Sequence, residues 1–219
     1  MKTLSVYNHR VPFFSVICCT YNRCALLPRA LASLQAQTEK DWELIVVDDG
    51  STDGTLALLQ EHARLNPRIR ILHHANRGVG ASRNAGILAA CGVFVTFLDS
   101  DDEYAPEHLA LRKEACREYP EIPFFHGGVA VIGNAFVPDK NDPTRSIAIS
   151  DCVVGGTFVI RRDLLVERGG FPHLRYADDA VFFEEALSEG VPIARLEHPT
   201  YRYYRDTPDS LCSTFAVDQ

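Results

Sequence analysis

Paired cysteines, long apolar runs and an excess of positive charge are all missing from this 219-residue chain, and each absence removes a class of protein. The seven cysteines, at 18, 19, 24, 91, 116, 152 and 212, are odd in number and scattered, and none forms a CxxC pair. Neither a disulfide framework nor a thiolate zinc site fits that pattern, and a reducing cytoplasm is the expected setting. No window approaches the roughly 18 uninterrupted apolar residues of a membrane span. The first ten residues, with Lys2, Asn8, His9 and Arg10, lack the apolar core of a secretion signal. The expectation is a cytoplasmic protein that at most sits peripherally at the inner membrane face. The 22 lysines and arginines are outnumbered by 29 aspartates and glutamates, for a net charge of -7. That excludes a broad basic face for a nucleic acid polymer, so any phosphate must be met locally or through a metal. Repeats and low-complexity tracts are absent too. What remains, 46% hydrophobic and 23% charged, is the composition of an ordinary globular protein, short enough for one α/β domain.

Apolar spacing sets out the expected elements. Residues 13–19 form a short, near-continuous apolar run, a buried strand; Leu26, Leu27, Ala30, Leu31 and Leu34 then recur at helical spacing. The alternation repeats. Strands are expected at 43–47, 69–72 and 93–98, with helices over 56–63 and 81–90, and with Ser51, Thr52 and Asp53 as capping side chains before the first of these. Strands alternating with helices imply a mostly parallel central sheet covered by helices on both faces. Further on, 106–119 reads as a helix, 124–132 as a strand, and 134–150 as a polar loop of the length that is more often functional than structural. Short helices at 162–168 and 179–188, the second closed by Gly190, and a strand at 191–196 complete the pattern.

In an open α/β sheet ligands bind beyond the carboxyl ends of the strands. Here every such end is polar. Strand one runs into Thr20, Tyr21, Asn22 and Arg23, strand two into Asp48 and Asp49, and strand four into Asp99, Ser100, Asp101 and Asp102. Carboxylates gathered at one rim suit a hard divalent cation that leaves coordination positions open for substrate phosphates. Taken alone, each cluster is equally a capped turn, since Asp and Ser favour loops. The Gly78-Val79-Gly80 triplet invites a dinucleotide-binding reading, but Arg83 occupies the third glycine position and the segment follows the third strand.

Taken in order, SVICCTYNR, VVDDGSTDGT, NRGVGASRNAG, FLDSDD and YADDAVFFEEAL resemble the motifs of family-2 glycosyltransferases with the GT-A fold, over about residues 13–213. One such motif is weak; five in sequence are specific. The resemblance implies a single Rossmann-like GT-A domain over 1–219, with a nucleotide-binding half to about residue 103 and an acceptor-binding half after it. It implies an inverting, Mn²⁺- or Mg²⁺-dependent transfer from a nucleotide sugar, usually a UDP-sugar, to the hydroxyl of a saccharide, lipid-linked or other acceptor. Polysaccharide or glycoconjugate synthesis is the implied setting, with a homo-oligomer or partner subunit allowed.

Carried over by position, Tyr21 resembles the aromatic that stacks on the base, among donor-site neighbours Thr20, Asn22 and Arg23, and Asp49 the carboxylate that reads the base edge. Arg83 and Asn84 resemble donor-pocket wall, and Asp99 with Ser100 the ribose or sugar contact. Asp101, assisted by Asp102, resembles the metal ligand. Gly155 and Gly156, followed by Arg161 and Arg162, resemble the segment beneath the acceptor, with Asp178 beside it where many members carry Glu. Asp179 resembles the general base. The stretch 201–205, YRYYR, resembles a terminal strand whose basic residues approach the diphosphate, and reads equally as an edge strand with solvated arginines. Asp206, Thr207 and Pro208 stand where many members place a histidine, and His73 and His74 point to opposite faces of a strand, so no histidine metal ligand is expected. Two rival readings share these features: a non-catalytic nucleotide-sugar-binding protein on the same fold, and a nucleotidyltransferase, which often has a glycine-rich loop where Thr20 to Arg23 stand.

Overall fold

Side-chain alternation along the first strand divides the interior in two. The structure is a computed structural model and describes residues 11–142, 144–174 and 176–207; the expectations for 1–10, Pro208 and Cys212 lie outside them. In β1 (Phe14–Thr20), Phe14, Val16 and Cys18 enter one core while Ile17 enters the other. The first core is covered by α1 (Leu27–Gln35), whose Leu27, Ala30, Leu31 and Leu34 form a buried i, i+3, i+4, i+7 stripe, and whose Pro28 sits in the first turn where no N–H is needed. β2 (Trp42–Asp48), α2 (Thr55–Leu65), β3 (Ile69–His73), α3 (Val79–Ala89) and β4 (Phe94–Phe97) continue the alternation. α3 covers the second core, with Ile87 packed against the face of Ile17, Ile45 and Val47. Each Leu, Ile or Phe so buried contributes roughly 1.5–3 kcal/mol.

The second half is less regular. It comprises β5 (Glu103–Tyr104), α4 (His108–Glu118), β6 (Phe124–His126), β7 (Val129–Ile132), β8 (Phe136–Pro138), β9 (Ser146–Ala148), β10 (Val159–Arg161), α5 (Arg162–Glu167), α6 (Asp178–Ser188), β11 (Ile193–Arg195) and β12 (Tyr201–Tyr204). The main sheet runs β11-β6-β10-β4-β1-β2-β3, parallel throughout except for β10, which is antiparallel to both neighbours. From β1 the chain moves outward through β2 to β3, then returns to place β4 on β1's other side. The crevice at the carboxyl ends of β1 and β4 is therefore the topological switch point.

Three expectations change here. The strand over 124–132 is two strands in different sheets, because Gly127 and Gly128 both take positive φ (91° and 76°) and turn the chain out of the main sheet. A Cβ at Gly128 would lie 2.1 Å from the His198 carbonyl oxygen, so only glycine fits that turn. The 134–150 loop contains a hairpin, β8 paired with β9. The expected caps of α2 are redirected: the N-cap residue is Gly54 and carries no side-chain cap. Asp53 instead accepts from Thr55 N–H (2.9 Å) and Cys24 N–H (3.2 Å), and Ser51 Oγ accepts from Asn22 N–H (2.9 Å). These side chains tie the loop after β1 to the loop after β2. No helix among the described residues is long and apolar enough to cross a membrane.

Candidate active site

Polar strand ends converge on one cleft of about 1170 Å³. Thr20, Tyr21, Asn22 and Arg23 line it from β1, Asp49 from β2, Arg83 from α3, and Asp99, Ser100 and Asp101 from the loop after β4. The opposite wall carries Gly155, Asp178 and Asp179, closed by the β8–β9 hairpin and by Tyr203, Tyr204 and Arg205. Tyr21 is 44% exposed, the state of an aromatic face available for stacking. Thr20 Oγ1 is buried at the same rim with no hydrogen-bond partner among the described residues. Such an orphan in a cleft wall is a place for a ligand's polar atom.

Asp49 is committed twice over. Its carboxylate accepts from the N–H groups of Arg77 (2.8 Å) and Gly78 (2.9 Å), which fixes the chain as it enters α3. His74 Nδ1 also lies 3.3 Å from Oδ1, so Oδ2, with Gly78 N–H on it, is the oxygen with a lone pair for a ligand. Asn22, left-handed at φ 51°, uses its Oδ1 to accept from Thr52 N–H (2.8 Å), so that side chain braces two loops.

The acidic loop after β4 divides its carboxylates between cleft and interior. Asp101 lines the cleft, and Arg29 of α1 holds its carbonyl by a hydrogen bond while stacking 3.7 Å over the Tyr204 ring. Asp102 is wholly buried and turned away: it accepts from Tyr201 O–H (2.7 Å) and Tyr204 N–H (2.8 Å) of β12. Tyr201 O–H also lies 3.3 Å from Asp99. Desolvation raises the pKa of all three, and the charge of Asp101 raises Asp99 further, as those of Asp99 and Asp101 raise Asp102. Arg83 opposes the shift of Asp99, and Arg23 that of Asp101. Arg29 and Arg205 oppose the shift of Asp101 as well, so the loop gathers three carboxylates with arginines around them.

At the other wall Asp178 and Asp179 begin α6. Asp178 is buried and gripped by Arg83, whose Nη1 lies 2.6 and 2.7 Å from its two oxygens. Asp179 accepts from Gly155 N–H (2.7 Å) and Ala180 N–H (2.9 Å). Desolvation raises its pKa, Arg83 opposes this, and Asp178 adds to it.

Of the residues expected at the site, Asn84, Asp102 and Gly156 do not line the cleft. Asn84 is spent on the loop before α6, donating to the Phe171 carbonyl (2.9 Å) and accepting from Phe171 N–H (2.8 Å). A Cβ on Gly156 would lie 2.1 Å from the Tyr201 hydroxyl, so that glycine makes room for Tyr201 and not for an acceptor. Arg161 pairs with Asp163 (2.7 Å) away from the cleft. His73 and His74 lie 2.8 and 3.3 Å from Asp48 and Asp49, serving the strand ends. Sequence reasoning missed Arg29 and the Tyr201 hydroxyl, and placed Arg83 and Asp178 in separate subsites although they are partners. An isolated Arg on a helix face gives no signal of its own; these contacts exist only once β12 is laid beside β5.

Among the described residues no three His, Cys, Asp or Glu side chains gather closely enough to cage a metal. The donors that face the cleft from the loop after β4 are the carboxylates of Asp99 and Asp101, a set that fits a hard cation held by one or two carboxylates and completed by phosphate oxygens.

Comparisons with known proteins agree with this fold. The same fold is found in the crystal structure of S. aureus TarS 1-349 in complex with UDP-GlcNAc: TM-score 0.76, 26% identity, covering 91% of this chain and 60% of that one. A mannosyltransferase from Pyrobaculum calidifontis, solved with GDP-Man and Mn²⁺, shares the fold at 22% identity and TM-score 0.72, covering 94% of this chain and 60% of its own. The putative teichuronic acid biosynthesis glycosyltransferase TuaG of Bacillus subtilis is 36% identical over 186 residues, 82% of this chain and 73% of that protein. Four other curated relatives are longer, the chain spanning 16% to 63% of their length. The family model described as Glycosyl transferase family 2 matches residues 15–130, and with TuaG matched across most of its length, this chain belongs to that family.

Proposed function

We propose that this chain moves a sugar from a nucleotide-sugar donor, of the UDP class, onto an acceptor hydroxyl with inversion, in the synthesis of a polysaccharide or glycoconjugate. The observation that carries the reading is one cleft with two acidic walls, one at the strand ends of the switch point and one at the start of α6. The first suits a nucleoside diphosphate and the second an attacking hydroxyl. TarS, solved with UDP-GlcNAc, and TuaG, named for teichuronic acid biosynthesis, support the donor class and the setting.

In this reading Tyr21 stacks on the base, Thr20 Oγ1 and Asp49 take its polar edge, and Asp99 with Ser100 meets the ribose or sugar. Asp101 holds a divalent cation, Mn²⁺ or Mg²⁺, while Asp102 is its buried support. Such a cation, when bound, neutralises charge on the departing diphosphate. Asp179 takes the proton from the acceptor hydroxyl as that oxygen attacks the anomeric carbon on the face opposite the diphosphate. Gly155 N–H and Ala180 N–H fix the carboxylate's orientation while leaving it lone pairs toward the cleft.

A thermal-shift screen of UDP-, GDP- and dTDP-sugars, with and without Mn²⁺, tests the reading, since a ligand bound only by the native state raises stability by mass action. Stabilisation by UDP-sugars that needs Mn²⁺ is expected. No shift with any nucleotide sugar would overturn the proposal.

A further inference from the structure

The Arg83–Asp178 pair joins two parts of the cleft that sequence reasoning kept apart. Arg83 sits in α3, on the donor side, and is 9% exposed. Its two short contacts cross 95 residues to Asp178, while its Nη2 reaches only to 3.8 Å from Asp99. The guanidinium thus leans toward α6. It is aimed there by burial against Phe171, whose ring centroid lies 5.5 Å from its central carbon.

Asp178 follows an unusual residue. Ala177 is left-handed, with φ 57° and ψ 30°, a conformation that Cβ sterics disfavour for alanine. This turn lets two adjacent aspartates face different partners, Asp178 toward Arg83 and Asp179 toward Gly155 N–H. A strained residue at a cleft wall persists only where its surroundings hold it. At the start of α6 the Ala177 carbonyl accepts from Val181 N–H (3.1 Å) and Asp179 from Ala180 N–H (2.9 Å); from other elements come the grip of Arg83 on Asp178 and the bond of Gly155 to Asp179.

We infer that Arg83 is a positioning residue for the general base: by gripping Asp178 it holds the left-handed turn at Ala177 and seats the Asp179 carboxylate against Gly155. The inference rests on the reading of Asp179 as base and adds a residue that acts through another. Arg83 does a second thing from the same place. The charged groups facing Asp179 are Arg83 from α3 and Asp178 from its own helix, with Asp99 facing Arg83 from the β4 rim; Glu184, further along α6, is paired with Lys140. Arg83 is the cation that opposes the desolvation of Asp179, and Asp178 works against it.

These opposed signs give a test that needs no acceptor. In the full chain, Gly155 amide exchange and the Asp179 carboxyl titration are followed by NMR for wild type, Arg83→Met, Arg83→Lys and Asp178→Asn. UDP affinity with Mn²⁺ is measured beside them by calorimetry. Arg83→Met should speed Gly155 exchange about tenfold, as loss of a charge-assisted contact allows, and move the Asp179 titration to higher pH. Arg83→Lys should speed exchange but leave the titration near wild type. Asp178→Asn, close in shape and so the safer fold, should speed exchange and move the titration to lower pH; general loosening would move both Met and Asn variants the same way. Unmoved exchange and titration in both, with UDP affinity falling in Arg83→Met, would make Arg83 a donor contact and overturn the inference. Failure of the base reading is separate: it shows as an Asp179→Asn variant that keeps its turnover.

Discussion

The two acidic pairs of the cleft, Asp101-Asp102 and Asp178-Asp179, are the same dipeptide in the sequence and are built in opposite ways. Each has one buried carboxylate, Asp102 or Asp178, and one less enclosed, Asp101 or Asp179, though Asp178 still lines the cleft and Asp102 does not. Asp102 is held by neutral donors, the Tyr201 hydroxyl and the Tyr204 amide, whereas Asp178 is held by the Arg83 guanidinium. A hydroxyl and an amide orient a charge without cancelling it; a guanidinium does both. In the strand-end pair Asp102 is thus oriented without a cation bonded to it, while Asp101 faces the cleft beside Asp99, with Arg23, Arg29 and Arg205 acting on its charge. In the helix-start pair the cation is built in, as Arg83 on Asp178, and Asp179 is the member that the proposed function makes the base. In the proposed function identical dipeptides divide the work of diphosphate binding and proton removal by what stands behind them.

The division breaks most visibly at Asp179. Asp179→Asn keeps the size of the side chain and its acceptor for a backbone N–H, but not its basicity. UDP release from UDP-GlcNAc with Mn²⁺, water serving as acceptor, should fall by roughly 10²–10⁴, while UDP affinity stays within about threefold. Desolvation raises the base above the ordinary aspartate value of 3.8. The wild-type rate should accordingly decline as pH falls through a value above 3.8, since only the ionised form accepts the proton. Near-normal release by the Asn variant would leave Asp179 a helix-start side chain and nothing more.

Asp101 should show the converse. Its replacement by Asn, or treatment of wild type with EDTA, should weaken UDP binding about 10- to 100-fold, the worth of a charge-assisted contact. Calorimetric titration reads this directly. If Asp101→Asn and EDTA both leave UDP affinity unchanged, the strand-end acids are not a cation's partner and the contrast between the two pairs collapses.

How far this was legible varied along the chain. The alternation through β4 was readable because its strands are apolar runs of four to seven residues and its helices carry clear stripes, as at Leu27, Leu31 and Leu34. β10 was not, since three residues, Val159–Arg161, give no period, and their place between β4 and β6 follows from tertiary pairing. The strand over 124–132 was misread for a related reason: apolar residues flank Gly127 and Gly128, and composition outweighed the turn that both glycines permit. At the site, motif order brought out Thr20, Asp49, Asp99, Asp101 and Asp179, all of which line one cleft. It did not separate outward from inward side chains. Asn84 and Asp102 stand next to cleft residues and are turned away by partners at Phe171 and Tyr201, more than 80 residues distant.

The smallest effect, and the one that bears most closely on the neutral hold of Asp102, is that of Tyr201→Phe. The ring stays in place, packed edge-on to Tyr104 with centroids 5.8 Å apart, and only the hydroxyl goes. Asp102 then keeps the Tyr204 N–H but loses the donor at 2.7 Å, with no water to replace it at a fully buried carboxylate. An unmet buried acceptor of this kind costs about 1–3 kcal/mol of stability. The sign of its pH dependence follows from the direction of the shift. Asp102 has a raised pKa in the folded protein, so it binds its proton more tightly folded than unfolded; the penalty for its charge is present at neutral pH and fades as pH falls through the raised value. The Tyr201 hydroxyl lowers that pKa, so removing it enlarges the neutral-pH penalty. Urea unfolding of the metal-free chain should therefore show a Tyr201→Phe deficit that is largest near pH 8 and narrows on acidification toward the ordinary carboxylate range. A deficit that is constant across pH would mean that the hydroxyl packs against Asp102 without supporting its charge, and the neutral hold would have to be assigned to the Tyr204 amide alone.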